Sequence, residues 1–278
     1  MLNNFLSSKW VIFCLLALVV FAVFSRAIWF DYVQLDEGVL LINNRFFISD
    51  ISNFFEVFKH DVNYPSAISP YYRPIFTLSL MLNGQLSLSP TAYHIGNLLL
   101  HLAAVFMLFW LFRELGYSRN VSLIFSAIFA IHPAVTSAVT WVPGRTEAML
   151  AILVALSLIL FMRFLRTADW RYLIGFLLFF AVALFTKEVA IALLPVLFFY
   201  YLMHKEEKGG ELMTTLASGL GVVSVAWFFV RKNILADANV GDLSFLQMFS
   251  VFWSNSPAFL LYLGKAILPF NLTVLPVP

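Results

Sequence analysis

The amino-acid sequence predicts an all-α polytopic membrane protein, a bundle of about seven or eight transmembrane helices with a long first extracytoplasmic loop that carries interfacial helices. Two observations carry this expectation. The first is composition. Of 278 residues, 62% are hydrophobic and 12% are charged, whereas a soluble domain is about 45–50% apolar and about 25% charged. Mean hydropathy is +0.89. So few charges cannot cover the surface of a soluble globule of this size. The same numbers exclude a disordered chain, a collagen-like chain and a basic nucleic-acid binder. The net charge of +2 selects no polyanionic partner. The single cysteine, Cys14, rules out a disulfide within the chain and reads as a small apolar residue.

The second observation is the recurrence of apolar stretches of roughly 20 residues, the length that crosses a bilayer. The first covers residues 10–30 and reads as a retained span, since no small-residue cleavage site follows it. Residues 31–92 form a long, more polar loop. Further spans are expected at 93–112, at 120–141 (interrupted by His132-Pro133) and at 148–162. Residues 172–203 are apolar except for Thr186-Lys187-Glu188. As one helix this stretch would be about 48 Å long, against a hydrocarbon core of about 30 Å. A hairpin is therefore expected. Residues 212–230 form another span, and 257–270 a short eighth element, spanning or re-entrant. Arg113, Arg119, Arg163, Arg166, Arg171, Lys205 and Lys208 then fall on one side, which the positive-inside rule makes cytoplasmic. The N-terminus is expected inside.

With this topology, the remaining polar residues gather at the outer face. Asp36 and Glu37 are adjacent carboxylates just beyond the first span, with Asp31 before them. They read either as a solvated loop start or, if desolvated at the apolar boundary, as a general base or cation ligand. His94, Asn97 and His101 share one helix face and suit interhelical hydrogen bonding better than a metal site. Arg73 follows Tyr72. Arg145 and Glu147 open a span, and Lys187 and Glu188 top the hairpin. Each reads singly as a snorkelling residue or a local ion pair. Taken together, cations at headgroup level suit a phosphate carried by a lipid. In the loop, Ile51, Phe54, Phe55 and Phe58 recur at helical spacing over 50–60, and 74–88 reads as a second amphipathic or mixed helix, both roofing the interface. Asn271-Leu272-Thr273 matches a glycosylation sequon.

The ordered set Asp36-Glu37, Tyr71-Tyr72-Arg73-Pro74, Tyr93-His94 with Asn97 and His101, His132-Pro133, Trp141-Val142-Pro143-Gly144-Arg145-Thr146-Glu147 and Thr186-Lys187-Glu188 resembles the GT-C superfamily of integral-membrane glycosyltransferases. It is most similar to the protein O-mannosyltransferase-like branch, which includes the transmembrane-and-tetratricopeptide-repeat O-mannosyltransferases and their bacterial relatives. The resemblance covers about residues 10–276. It implies one GT-C-like transmembrane domain over 1–278 and an inverting sugar transfer from a polyprenyl-phosphate donor to a hydroxyl of a protein or glycan acceptor on the extracytoplasmic face. Asp36 would be the base and Glu37 its neighbour, orienting the acceptor or a cation. Arg73, Arg145 and Lys187 would bind the donor phosphate. Tyr72, His94, Asn97, His132, Glu147 and Glu188 would support them. Membrane lipids are expected partners and nucleic acid is not. No cofactor beyond the donor is implied, and the resemblance leaves room for a divalent metal without indicating one. The cytoplasmic (inner) membrane is the expected location, the endoplasmic reticulum the alternative. Relatives often carry Asp-Asp where this chain has Asp36-Glu37, and no repeat of about 34 residues follows, so a C-terminal repeat or periplasmic domain is expected to be absent. A transporter or flippase, and a catalytically inactive membrane subunit, are the alternative readings.

Overall fold

The computed structural model describes residues 9–33, 35–204, 210–236 and 245–269. Lys205, Lys208, the sequon at Asn271 and the end of the segment 257–270 lie outside the described residues. Helix α1 (Lys9–Phe24) runs on as a 3-10 turn over Ser25–Trp29. The loop then holds a π-turn (Gly38–Ile42), the short α2 (Arg45–Ser49) and two 3-10 turns, Ile51–Phe54 and Glu56–Lys59. After it come α3 (Pro74–Leu86), α4 (Pro90–Glu114), α5 (Arg119–Ile131), α6 (Thr136–Thr140), α7 (Arg145–Thr167) and α8 (Trp170–Thr186). The last four are α9 (Leu193–His204), α10 (Gly210–Ile234), α11 (Phe245–Ser254) and α12 (Ser256–Ile267). No strand occurs among the described residues.

Local chemistry sets the helix ends. Ser89 and Ser118 cap α4 and α5 by accepting from the Ala92 and Val121 amides, and Asp169 caps α8 through the Arg171 amide. Each satisfies a donor that the first helical turn leaves orphaned. Pro90 occupies the first turn of α4, where its missing N–H costs nothing.

Among the described residues, four helices are long and apolar enough to cross a membrane: Trp10–Trp29, Pro90–Glu114, Val142–Thr167 and Leu212–Ile234. A fifth is counted if Arg119–Ile131 and Pro133–Thr140, bent by 54° at His132, form one span. The all-α polytopic membrane fold therefore stands, with fewer full-length spans than the expected seven or eight. The physical reasons are local. The hairpin breaks at Lys187, whose extended backbone leaves two apolar helices shorter than a full span, Trp170–Thr186 and Glu188–Met203. The eighth element, α12, has 12 residues, against the about 20 that a span requires.

Two loop expectations also change. Residues 50–60 form two 3-10 turns and not one amphipathic α-helix. The Asp50 carboxylate takes the Ser52 amide and the Asn53 side chain donates to the Phe47 carbonyl. Such local side-chain bonds compete with the helical ladder. The second loop helix, α3, is more than a surface roof, because Phe76, Leu80 and Met81 are fully buried.

The core packs α7 against α8 and α4 around Phe161, Phe176 and Phe180. The stacked Phe176 and Phe180 rings lie 6.2 Å apart, so part of the phenylalanine excess is core and not lipid-facing bulk. At one end of the bundle Glu114, the last residue of α4, binds Arg163 at 2.8 Å and Arg166 at 2.7 Å on α7. That clamp places the end of α4 beside the end of α7. The opposite end must then collect the starts of α4 and α7, the ends of α5 and α8, and the long loop.

Gly144 lies in the 3-10 turn Val142–Gly144 that leads into α7. A Cβ there would sit 2.1 Å from the Ser137 carbonyl oxygen, a backbone atom that cannot swing away. Gly144→Ala is expected to lose about 1–3 kcal/mol of stability, read as a lowered melting temperature in detergent. An unchanged melting temperature would contradict this packing.

Candidate active site

The end of the bundle opposite the Glu114 clamp brings the scattered polar residues together. Glu37 is fully buried. Its Oε1 accepts from the Val142 amide at 3.1 Å and its Oε2 accepts from the Val33 amide. One carboxylate thus fastens the exit of the first span to the turn that opens α7, across 105 residues of sequence. Asp36 beside it is exposed, and its side chain makes no hydrogen bond among the described residues. The two acids are therefore unlike. Glu37 is a structural anchor held by backbone donors and not a group open to an acceptor. Asp36 is open to solvent and unused by the fold.

Arg145 is the largest fully buried side chain, 1% exposed. Its Nε donates to Asn97 Oδ1 at 2.9 Å, Nη1 to the Ser79 carbonyl at 3.1 Å and Nη2 to the Tyr93 carbonyl at 3.0 Å. It has no carboxylate partner among the described residues. A cation at the first residue of a helix also opposes the helix dipole. The ring of three acceptors answers both costs. The resemblance implies Arg145 as a ligand of the donor phosphate; here its side chain joins α3, α4 and α7, and it also lines a groove of about 560 Å³ between α3 and α4.

Asn97 is the second hub. While accepting from Arg145, its Nδ2 donates to the Trp141 carbonyl at 2.8 Å and more weakly to Val139 and Val142. The expected shared face of His94, Asn97 and His101 is present, and all three are buried. His101 Nε2 donates to the Ala130 carbonyl at 3.0 Å, an interhelical bond of the expected kind. The carbonyls of Asp31 and Val139 face the His94 ring, yet neither ring nitrogen reaches hydrogen-bond geometry. His132 uses Nδ1 to accept from the Ala134 amide at 3.2 Å and so caps the bend. Its role there is local.

The other two expected cations are already paired. Arg73 grips Glu188 with two N–H groups, Nε at 3.0 Å and Nη2 at 2.5 Å, and stacks over Tyr71 at 4.3 Å. Lys187 binds Glu147. Tyr72 is buried and donates to the Phe58 carbonyl at 2.8 Å, and burial pushes its hydroxyl pKa up to about 12. Tyr32 donates to the Leu88 carbonyl at 2.8 Å, and burial, with Tyr93 and Glu37 nearby, raises its pKa as well. Both therefore act as neutral donors at physiological pH. Among the described residues no three His, Cys, Asp or Glu side chains gather as a metal cluster.

One residue at this end was missed by sequence reasoning. Arg231, on the last turn of α10, donates to the Pro70 carbonyl at 3.4 Å, three residues before Arg73. The available signal was its place just after the span at 212–230, on the outer side of the expected topology.

No solved structure matches the chain. Among curated relatives, a protein O-mannosyl-transferase Tmtc1 of Drosophila melanogaster is 34% identical over 44% of this chain and 14% of its own length. Human protein O-mannosyl-transferase TMTC3 is 42% identical over 29% of this chain and 9% of its own length. The Xenopus laevis protein O-mannosyl-transferase tmtc2 is 32% identical over 48% of this chain and 17% of its own length. The chain thus matches less than a fifth of each relative. The dolichyl-phosphate-mannose-protein mannosyltransferase family profile matches residues 69–230, more than half of the chain, and includes every expected cation and histidine but not Asp36-Glu37. The match covers more than half of the chain and takes in most of the motifs above: the chain belongs to the dolichyl-phosphate-mannose-protein mannosyltransferase family.

Proposed function

We propose that this chain is the transmembrane catalytic domain of a glycosyltransferase that moves a mannose-type sugar, with inversion, from a polyprenyl phosphate to a hydroxyl of a protein acceptor at the outer membrane face. The observation that carries the proposal is the contrast within the acidic pair. Glu37 is locked by two backbone amides, which fixes the turn, and Asp36 is presented free and exposed beside it. In the reaction the acceptor oxygen attacks the anomeric carbon while the bond from that carbon to the phosphate oxygen breaks, and the bonding pair leaves with the phosphate. Asp36 takes the hydroxyl proton. Negative charge grows on the departing phosphate, and donors fixed in advance stabilise it there. Arg73 has five N–H groups and spends two on Glu188, so three remain. Lys187 stands next along the chain to Glu188. Arg145 acts as a positioning residue behind them. Arg113, Arg119, Arg163, Arg166 and Arg171 at the clamped end support a cytoplasmic placement of that end.

The test uses the full chain in proteoliposomes with polyprenyl-phosphate mannose and a Ser/Thr-containing acceptor peptide. Polyprenyl phosphate should be released, and NMR should find the product with the anomeric configuration opposite to the donor's. Absence of release, or a retained configuration, sinks the proposal.

A further inference from the structure

His94 and His101 stand two helical turns apart on one face of α4, and both are buried. They are not treated alike. His101 Nε2 bonds the Ala130 carbonyl at 3.0 Å, whereas neither ring nitrogen of His94 has a partner among the described residues. In either tautomer an imidazole carries one donor and one acceptor, so both go unmet. A buried polar group without a partner is destabilising, and native structures keep few of them. A phenyl ring would fill this place without that penalty, and the Phe30 ring already meets His94 edge-on, 6.2 Å between centres. The imidazole borders the stretch of chain that carries Asp36. The Asp31 carbonyl faces it from the exit of the first span, the Val139 carbonyl faces it from α6, and the charges of Glu37 and Arg145 act on it. That stretch is pinned beyond Asp31, by Tyr32 donating to the Leu88 carbonyl and by Glu37 taking the Val33 and Val142 amides. The Asp31 carbonyl lies just before these pins, aimed at the ring and short of a bond.

We propose that His94 is a positioning residue for Asp36. When donor and acceptor are bound, the exit of the first span settles onto α4, the His94 ring N–H donates to the Asp31 carbonyl, and Asp36 is brought to bear on the acceptor hydroxyl. The unmet polar atoms of the free protein hold that bond in reserve, a local rule broken where function requires it. His94 touches no reacting atom. The role given to Asp36 rests on the transfer reading above. The seating of Asp31 on His94 does not, because it follows binding whether or not sugar moves.

Hydrogen exchange of the full chain, read by mass spectrometry over residues 30–38, tests the seating without turnover. With polyprenyl phosphate and acceptor peptide added together, wild-type amides there should exchange about tenfold more slowly than in the free protein, and those of His94→Phe should not slow. His94→Phe should melt at or above the wild-type temperature, because it removes two unmet polar atoms. In the transfer assay its kcat should fall about tenfold, the weight of one hydrogen bond in the transition state, with KM for the donor nearly unchanged. His94→Gln keeps a donor and an acceptor, and should recover part of that kcat. In the Asp36→Asn background, His94→Phe should change kcat less than about twofold, since a residue that acts through Asp36 has nothing left to position. His94→Leu is the second apolar variant, in case the phenyl ring overpacks the site. A clear fall in melting temperature in both apolar variants makes His94 an ordinary core residue and overturns the proposal. Wild-type kcat in a folded apolar variant overturns it too, as does exchange that fails to slow in the wild type or still slows in His94→Phe. If the wild type slows its exchange through His94 but transfers no sugar, the seating stands and the transfer reading falls.

Discussion

Asp36→Asn is expected to lower the rate of sugar transfer by about 10²–10⁴-fold, the range that a positioned general base contributes. The chain should remain folded, because the Asp36 side chain is exposed and holds no other group among the described residues. Asparagine keeps the size and loses the ability to accept a proton. The defect should therefore appear in kcat, with little change in polyprenyl-phosphate binding. Release of polyprenyl phosphate coupled to an acceptor peptide, followed over time, measures it. If Asp36→Asn retains more than a tenth of the wild-type rate, Asp36 is not the base.

Arg145→Leu is expected to have the largest effect on stability. The substitution removes three donors at once: Asn97 Oδ1 loses its donor, and the Ser79 and Tyr93 carbonyls lose the second bond they make beyond their own helical ladders. An unsatisfied buried acceptor costs about 1–3 kcal/mol, and each lost further bond adds to it. Against this, leucine relieves the desolvation of a buried charge, and replacing buried ions by apolar groups is often neutral when both partners go. Here only the donor goes and the acceptors stay, so the loss wins. We expect a net destabilisation of about 3 kcal/mol or more, read as a fall in melting temperature in detergent and as increased proteolysis near 137–145. Arg145→Lys keeps the charge but offers a single point donor in place of a fork, and should fall between. A Leu variant as stable as the wild type would remove Arg145 from its place as the hub.

The long apolar runs were legible because bilayer thickness fixes their length, so α4, α7 and α10 lie close to where the sequence puts them. The gathering of polar residues at one end was legible too, since alternating spans decide which loops share a side. The pairings were not. Arg73 and Glu188 are 115 residues apart, and nothing local to either announces the other. Arg145 follows Pro143-Gly144 and opens a helix, the ordinary setting of an interfacial cation. Its burial depends on the carbonyls of Ser79 and Tyr93, which sequence patterns do not reveal. Asp36 and Glu37 look alike in sequence, and it is the Val33 amide and the distant Val142 amide, both donating to Glu37, that separate their fates. The 50–60 segment misled because apolar spacing at i, i+3 and i+4 does not report the competing side-chain bonds of Asp50 and Asn53.

The Glu114 clamp has a mechanical consequence. Helices α4 and α7 are bolted together twice, by Glu114 to Arg163 and Arg166 at one end and by Arg145 to Asn97 and Tyr93 at the other. A beam pinned at both ends neither tilts nor slides. Half of the α7 span is buried against its neighbours, whereas α10 buries 11% of its own. Any breathing that admits a long-tailed molecule from the bilayer must then be taken up on the loosely held α10 side, with the α4–α7 pair as the stationary wall against which it moves.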